Sequence, residues 1–463
     1  MYDYIIVGAG PTGLFLAYTL SKYDKKKILL VDENDTIGGC HRVTREKKIY
    51  FSEHGPRVYS SGYINFKNWL LDMNLNFDDL FVPYKFYMEN IAIDGIKNFT
   101  YREMFYLSKE FLLFMFSKYK DTLSVKEFCN KNNFSDKAID YLDRLCRLTD
   151  GIDSTKYSMY KLFSSINDNF FYSLYQPKYS NDVLLMKMIS TSLKINKVDI
   201  KTDFKVSKID PCINTIYNQH KQKVEYKNII FAIPPRRLFE LNINTFPSIF
   251  SSKIEYYKKM KETDYNTYIP ITFHWNIKLF KNPIEIHGFP INDWGIITLF
   301  ITDYNKSEVG TIISCNISIP ENKSKYLNKT AHECTKSQLI EETFRQIKDT
   351  FNLPIYDYAF IHKNVIRIES KYINTDTAYN KHKNITFDTH SSNFDNIYSV
   401  GTHNGKSNYN FTTMESAIIN AIEFYNDISK NKIKLLKHTK LHHLVYICIF
   451  VLLLIVCLVF YMR

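Results

Sequence analysis

The sequence predicts an α/β chain in three parts: a parallel-sheet domain assembled from distant segments, an α+β domain interleaved with it, and an apolar C-terminal helix. Three observations lead there. A short apolar strand at the start runs into a glycine-spaced turn and then a helical stretch. Further apolar strands recur far along the chain, at residues 204–209, 228–233 and 397–400. Residues 444–461 (LVYICIFVLLLIVCLVFY) contain no charge, glycine or proline. The 463 residues suffice for two sizeable domains, and 45% hydrophobic with 23% charged residues excludes a disordered chain.

Residues 2–7 (YDYIIV) read as a buried strand, and Gly8, Ala9, Gly10, Pro11, Thr12 and Gly13 then give G-x-G-x-x-G ahead of a helix. Gly8 permits the tight turn, Gly10 lets the backbone approach a pyrophosphate, and Gly13 lets the helix pack closely on the sheet. Pro11 suits an early helical position, and with Thr12 it opens a helix whose positive end faces the phosphates. The second strand, 28–31 (ILLV), ends in Asp32, 19 residues after Gly13. Asp32 is placed to accept hydrogen bonds from an adenosine ribose, with Glu33 the neighbouring alternative. Gly38 and Gly39 allow another close approach to phosphate, and Arg42 supplies charge. A plain NAD dehydrogenase does not need these. No second G-x-G-x-x-G follows, so one dinucleotide is expected, and FAD is the better choice.

On these residues the chain resembles the flavin-containing amine oxidase superfamily, which includes protoporphyrinogen oxidases, phytoene desaturases and, more distantly, UDP-galactopyranose mutases. The stretch 32–42 (DENDTIGGCHR) is similar to the superfamily's second-strand motif. Glu53, His54, Gly55, Pro56 and Arg57 look most like the E-x-G-P-R segment of protoporphyrinogen oxidases, and residues 123–128 (LSVKEF) resemble a helix start of that subgroup. The resemblance implies a Rossmann-like FAD-binding domain, non-covalent FAD, and hydride transfer from a small-molecule substrate to flavin N5. It implies an adenine contact at Val206, a last strand ending at Gly401, and a helix opening at Met414 that aims its N-terminus at the flavin. Arg57 is the catalytic candidate, as a charge beside the flavin or an acidic substrate, or equally a structural partner of Glu53. His54, His274 and His403 are acid–base candidates whose plainer reading is structural. Ser416 stands where the family carries glycine, and none of these motifs locates the lysine that amine oxidases place near N5. Two alternatives remain: a mutase-like flavin isomerase, which would need two arginines for a substrate diphosphate, and a catalytically silent membrane-tethered flavoprotein.

The expected FAD-binding domain comprises 1–65, 195–240 and 385–428, and the substrate domain 66–194 and 241–384. Within the latter, residues 103–119 form a dense apolar helix, read as core or pocket lining rather than a second membrane contact. Segments 268–275 and 295–301 are expected to share a sheet. Residues 429–443 read as a basic linker and 444–461 as a transmembrane tail anchor of about 27 Å. Six of the twelve excess positive charges follow Asp427, which leaves the body only mildly basic and argues against a nucleic-acid partner. The lysine flank predicts a membrane protein with a lipid-bilayer partner and its body in the cytosol. Eight scattered cysteines without metal-ligand spacing predict free thiols in a reducing compartment, and no metal.

Overall fold

The computed structural model describes residues 1–55, 57–84, 96–119, 122–243, 250, 253–261, 264–265, 268–283, 292–375, 379–380, 386–407, 409 and 413–461. Pro56 of the E-H-G-P-R stretch, and the side chains of 456–461, lie outside the described residues.

Strand Tyr2–Val7 lies within a seven-stranded sheet. Its residues 4–7 are all buried without polar alternation, as a parallel strand covered on both faces requires. On one side Ile28–Val31 pairs parallel to it, followed by Asp199–Lys201. On the other side Lys223–Phe231 pairs parallel to it and then to Ile397–Ser399. Strands Val206–Asp210 and Thr215–Asn218 extend the sheet as an antiparallel hairpin. The winding therefore reverses between Tyr2–Val7 and Lys223–Phe231. Open α/β sheets bind ligands at the carboxyl ends of the strands at such a switch point, here Gly8 and Ala232.

Helices Pro11–Lys22 and Met414–Ile428 cover one face, together with Ile64–Asp72 and Leu185–Ile195. The opposite face is closed by Phe204, Leu238, Phe250 and Tyr256. The second sheet is antiparallel, ordered Ile296–Phe300, Thr311–Ile317, Ile269–Trp275, Tyr358–Ile361. The two strands expected to share a sheet both belong to it, but Thr311–Ile317 runs between them. Ile269, Ile271, Phe273 and Trp275 face helix Lys336–Phe351. The intervening Thr272 and His274 turn towards Ser52 and Phe51, at 3.4 and 3.0 Å.

Three further findings differ from the sequence reading. Helix Tyr101–Met115 is not core: it buries only Glu103 and Met115, while Phe105 and Leu112 are 65% and 49% exposed. Only its inner edge, with Tyr106, Leu107, Phe111 and Phe114, packs on the cluster around Phe163. Residues 429–443 are not a free linker but fold back onto the body. The last described element is helix Leu441–Tyr461. Among the described residues no helix is long and apolar enough to cross a membrane, so the expected transmembrane segment has no support there. The seven cysteines among the described residues are all free, and no group of metal-ligating side chains occurs among those residues.

Candidate functional site

The turn after Tyr2–Val7 is shaped by missing side chains. A Cβ on Gly8, where φ is +105°, would meet the Ala232 carbonyl oxygen at 2.6 Å. One on Gly13 would lie 1.9 Å from the Gly8 carbonyl oxygen. At Gly10 the nearest neighbour would be the Gly39 Cα at 3.8 Å, so the space beside it is open. Gly10 is the N-cap of Pro11–Lys22 and offers no side-chain cap, which leaves the helix N-terminus to an external acceptor.

The Asp32 carboxylate closes this turn. Its Oδ2 accepts the Ala9 N–H at 2.8 Å, its Oδ1 accepts both Asn34 nitrogens at 2.9 Å, and Arg42 Nη1 lies 3.9 Å away. With Oδ1 doubly engaged, Oδ2 keeps acceptor capacity for a further donor. Glu33 is exposed, with Arg237 Nη2 3.5 Å from it.

A cavity of about 930 Å³ starts at this turn. All the predicted cofactor residues except Gly13 line it, Arg57 lines it too, and Gly13 faces the sheet instead. One end is bounded by Asp32, Glu33, Lys205, Val206 and Arg237. The inner end is bounded by Tyr63, Asp150, Tyr172, Tyr268 and Tyr409. Met414, the first residue of the closing helix Met414–Ile428, lies on the wall. Ser416 has a use where the family has glycine. Thr413 Oγ1 accepts its N–H at 3.3 Å and its hydroxyl accepts the Thr413 N–H at 2.9 Å, a reciprocal cap.

Arg57 realises the structural pairing and lines the cavity as well. It donates to the Cys40 carbonyl, and its Nε stands 3.4 Å from Glu53. Burial pushes the Glu53 carboxyl up to about 7, and the Arg57 charge restrains that rise. Burial, reinforced by Arg57, pushes His54 down to about 3. Burial alone takes His403 to about 3, and it brings His274 to about 4. All three rings are therefore neutral near pH 7. His54 meets Asn374 at 3.1 Å and His403 meets Ser399 at 2.9 Å. His274 sits in the second sheet and is not on the cavity wall. Burial also raises the phenols of Tyr63, Tyr172, Tyr268 and Tyr409, which keeps them as O–H donors.

Sequence reasoning did not find the tyrosines of the inner end or Asp150. With 35 tyrosines in the chain, residue type alone does not separate those four from the rest.

A family model described as an NAD(P)-binding Rossmann-like domain matches residues 6–72. The UDP-galactopyranose mutase of Mycoplasma genitalium is 33% identical over 78 residues, 16% of this chain and 19% of that protein. The matched stretch thus spans about a fifth of that relative. A crystal structure of reduced UDP-galactopyranose mutase superposes with a TM-score of 0.63 at 15% identity, over 92% of this chain and 94% of that one. An oxidoreductase from Methanosarcina mazei superposes with a TM-score of 0.62 at 14% identity, over 91% of this chain and 99% of that one. The chain shares its fold with these two proteins, and residues 6–72 carry the Rossmann-like dinucleotide-binding pattern. The Rossmann-like sheet carries the cradle at Gly8–Gly13, and residues outside that sheet, among them Asp150, Tyr172 and Tyr268, complete the cavity lining.

Proposed function

We propose that the chain is an FAD-dependent oxidoreductase of the amine oxidase and protoporphyrinogen oxidase kind, acting on a small molecule, with FAD held non-covalently. The observation that carries this reading is the single cavity, which joins a phosphate cradle at Gly10 to a tyrosine-lined inner end. The residues fit the cofactor. Gly10 and Gly39 clear a path for a diphosphate, the uncapped helix supplies N–H donors, and Asp32 Oδ2 and Glu33 supply ribose acceptors. Bound FAD would supply a hydride acceptor.

The chain's own groups then have defined tasks. The N-terminus of Met414–Ile428 directs its positive end at the cavity and favours negative charge there. Arg57, held by Glu53 and Cys40, adds a fixed cation to the wall. The neutral His54 and His403 add none. The tyrosine hydroxyls donate to protein acceptors, Tyr63 to the Val58 carbonyl, Tyr172 to the Thr439 carbonyl, Tyr268 to the Leu148 carbonyl and Tyr409 to Asn169 Oδ1, so they offer a substrate aromatic surface and oxygen lone pairs.

The mutase alternative needs two arginines at the substrate end. Among the described residues the cavity arginines are Arg42, Arg57 and Arg237, and two of these sit beside Asp32 and Glu33 at the ribose end. Only Arg57 is left for a substrate, which favours the oxidoreductase reading. The test is the spectrum of the purified full-length protein in detergent, followed by anaerobic bleaching with polyamines, protoporphyrinogen, or UDP-galactopyranose with dithionite. Bleaching by an amine or porphyrinogen supports the reading. Sugar-ring interconversion that requires reduced flavin overturns it in favour of the isomerase, and inert bound flavin overturns it in favour of a silent flavoprotein.

The same reading places residues 444–461 in a membrane, with the body on the cytosolic side. Support comes from a helix of 21 residues, from Ile447, Phe450 and Leu452 at 59, 64 and 63% exposure, and from the lysines before it. Its root packs against the outer helix, Phe116 on Tyr446 at 5.9 Å, beside the exposed Phe105 and Leu112. Flotation with vesicles tests it. The full chain should float and a chain ending at residue 443 should not, and a full chain that stays in the aqueous fraction would refute the anchor.

A further inference from the structure

After the closing helix ends at Ile428 the chain stays on the body. Ser429 Oγ and Asn431 Nδ2 donate to the Asp24 carboxylate at 2.8 and 2.7 Å. Asn426 clasps the backbone of Ile433 with two bonds, at 2.8 and 2.7 Å. Asn65 does the same to Leu436, at 3.1 and 2.9 Å. His438 then enters a slot where it is 6% exposed. Its Nε2 lies 2.8 Å from the Gly62 carbonyl oxygen and 3.2 Å from Glu415 Oε1. Both neighbours accept, so Nε2 carries the proton. Its ring stacks on Tyr409 with centroids 4.8 Å apart. The Thr439 N–H donates to Tyr172 Oη at 3.0 Å, Lys440 pairs with Asp168 at 2.8 Å, and the His442 N–H donates to Asn167 at 3.0 Å.

These partners belong to the inner end of the cavity. Tyr172 and Tyr409 line it. Glu415 accepts the Asn65 and Phe66 N–H groups at 2.9 Å, which fixes the first turn of Ile64–Asp72 just after the cavity-lining Tyr63. A tether that only spaces the tail from the body would need solvated lysines. It would not need a buried histidine or two asparagines that each clasp a backbone pair.

The geometry points to residues 433–442 as the layer that backs the lining tyrosines of the cavity's inner end, with His438 as the positioning residue that fixes Tyr409 and Glu415. His438 acts through the Tyr409 ring and the first turn of the closing helix. The far end of the same segment carries the tail helix, where the Tyr446 hydroxyl donates to the Met115 carbonyl. The tail's attachment and the layer behind the site are one packed unit.

Full-length wild type, His438→Ala and His438→Gln decide it, with two readouts. The first rests on the FAD reading: sulfite, a small anion that adds to flavins, is titrated by bleaching of the bound cofactor. His438→Ala should keep its FAD yet shift sulfite affinity about tenfold, with His438→Gln nearer wild type because its amide restores a donor to Gly62. The second, hydrogen exchange, needs no cofactor. Amides 62–66 and 414–417 should exchange about tenfold faster in His438→Ala while residues 4–7 keep their protection. A yellow His438→Ala with unchanged sulfite affinity and exchange overturns the inference. So do wild-type amides 436–439 that exchange like an unstructured chain, a measurement that still decides the matter if His438→Ala fails to fold. Colourless wild type overturns the FAD reading alone and leaves the exchange comparison standing.

Discussion

Gly10 and Gly13 belong to one motif, yet alanine at each should fail in different ways. At Gly13 the new methyl carbon would lie 1.9 Å from the Gly8 carbonyl oxygen, where a carbon–oxygen contact needs about 3.3 Å. Helix Pro11–Lys22 would have to retreat by more than about 1 Å from a turn that Ala232 already confines from the other side. Overpacking of this kind costs about 1–3 kcal/mol, with or without nucleotide. At Gly10 the backbone φ is −79°, which any residue adopts, and the methyl would meet nothing nearer than 3.8 Å. Gly10→Ala should therefore change apo-protein stability by less than about 1 kcal/mol. Its methyl would occupy the path of the diphosphate. Losing one charge-assisted bond at about 1.5–3 kcal/mol weakens FAD about 10- to 100-fold. Urea unfolding of the apo-proteins and FAD titration by fluorescence quenching separate the two effects. Wild-type FAD affinity in Gly10→Ala, or an apo Gly10→Ala that unfolds as readily as Gly13→Ala, would refute the assignment of the open side of the cradle.

Three further outcomes are expected. His54, His274 and His403 have folded pKa values below the ordinary 6.5, so their stabilisation is complete above pH 6.5 and is lost as pH falls towards 4 and 3. Glu53, raised from 4.5 to about 7, acts in the opposite sense, its contribution complete below 4.5 and lost as pH rises through 7. Between those limits these four groups alone take up about one to two protons on unfolding, and His41, His332 and His442, whose imidazoles burial also lowers, add to that uptake, so stability should rise with pH by about 2.7 kcal/mol per unit or more near pH 5, measured by urea unfolding at pH 5 and 6. Arg57→Met strands the Glu53 carboxyl in a buried site and should cost about 3–5 kcal/mol at pH 8, whereas the double variant Arg57→Met with Glu53→Gln should recover much of it; urea midpoints report both. Thr413→Ala removes the cap from the closing helix and should cost about 1 kcal/mol in thermal unfolding, while Thr413→Ser should stay near wild type.

The sequence made the cradle legible because its determinants are local. Gly8, Gly10, Gly13 and Asp32 act through neighbouring backbone, and their spacing is the geometry. Val206, Gly401 and Met414 became legible only through resemblance, since nothing near them in sequence says which wall they join. The wall of the inner end was not legible. Tyr172 and Tyr409 are held by Thr439 and His438, a contact more than 260 residues long in the first case, and no periodicity encodes it. The outer helix misled for a related reason. Its apolar content was plain, but whether a neighbour covers it depends on how much apolar surface Phe163 and its surroundings already bury. The segment 429–443 looked like a linker because its lysines are what composition sees, while its asparagine clasps depend on Asn65 and Asn426.

The central sheet is drawn from residues near 2, 28, 199, 223 and 397. A growing polypeptide therefore cannot assemble a competent nucleotide pocket until almost its entire length has been synthesised, and fragments that stop short of residue 417 lack part of its lining. Such sequence-distant pairing makes for slow maturation. On the FAD reading proposed above, the cofactor would thus be loaded late, by a body whose last strand has just arrived, and nucleotide present at that moment would hold the newly closed sheet together.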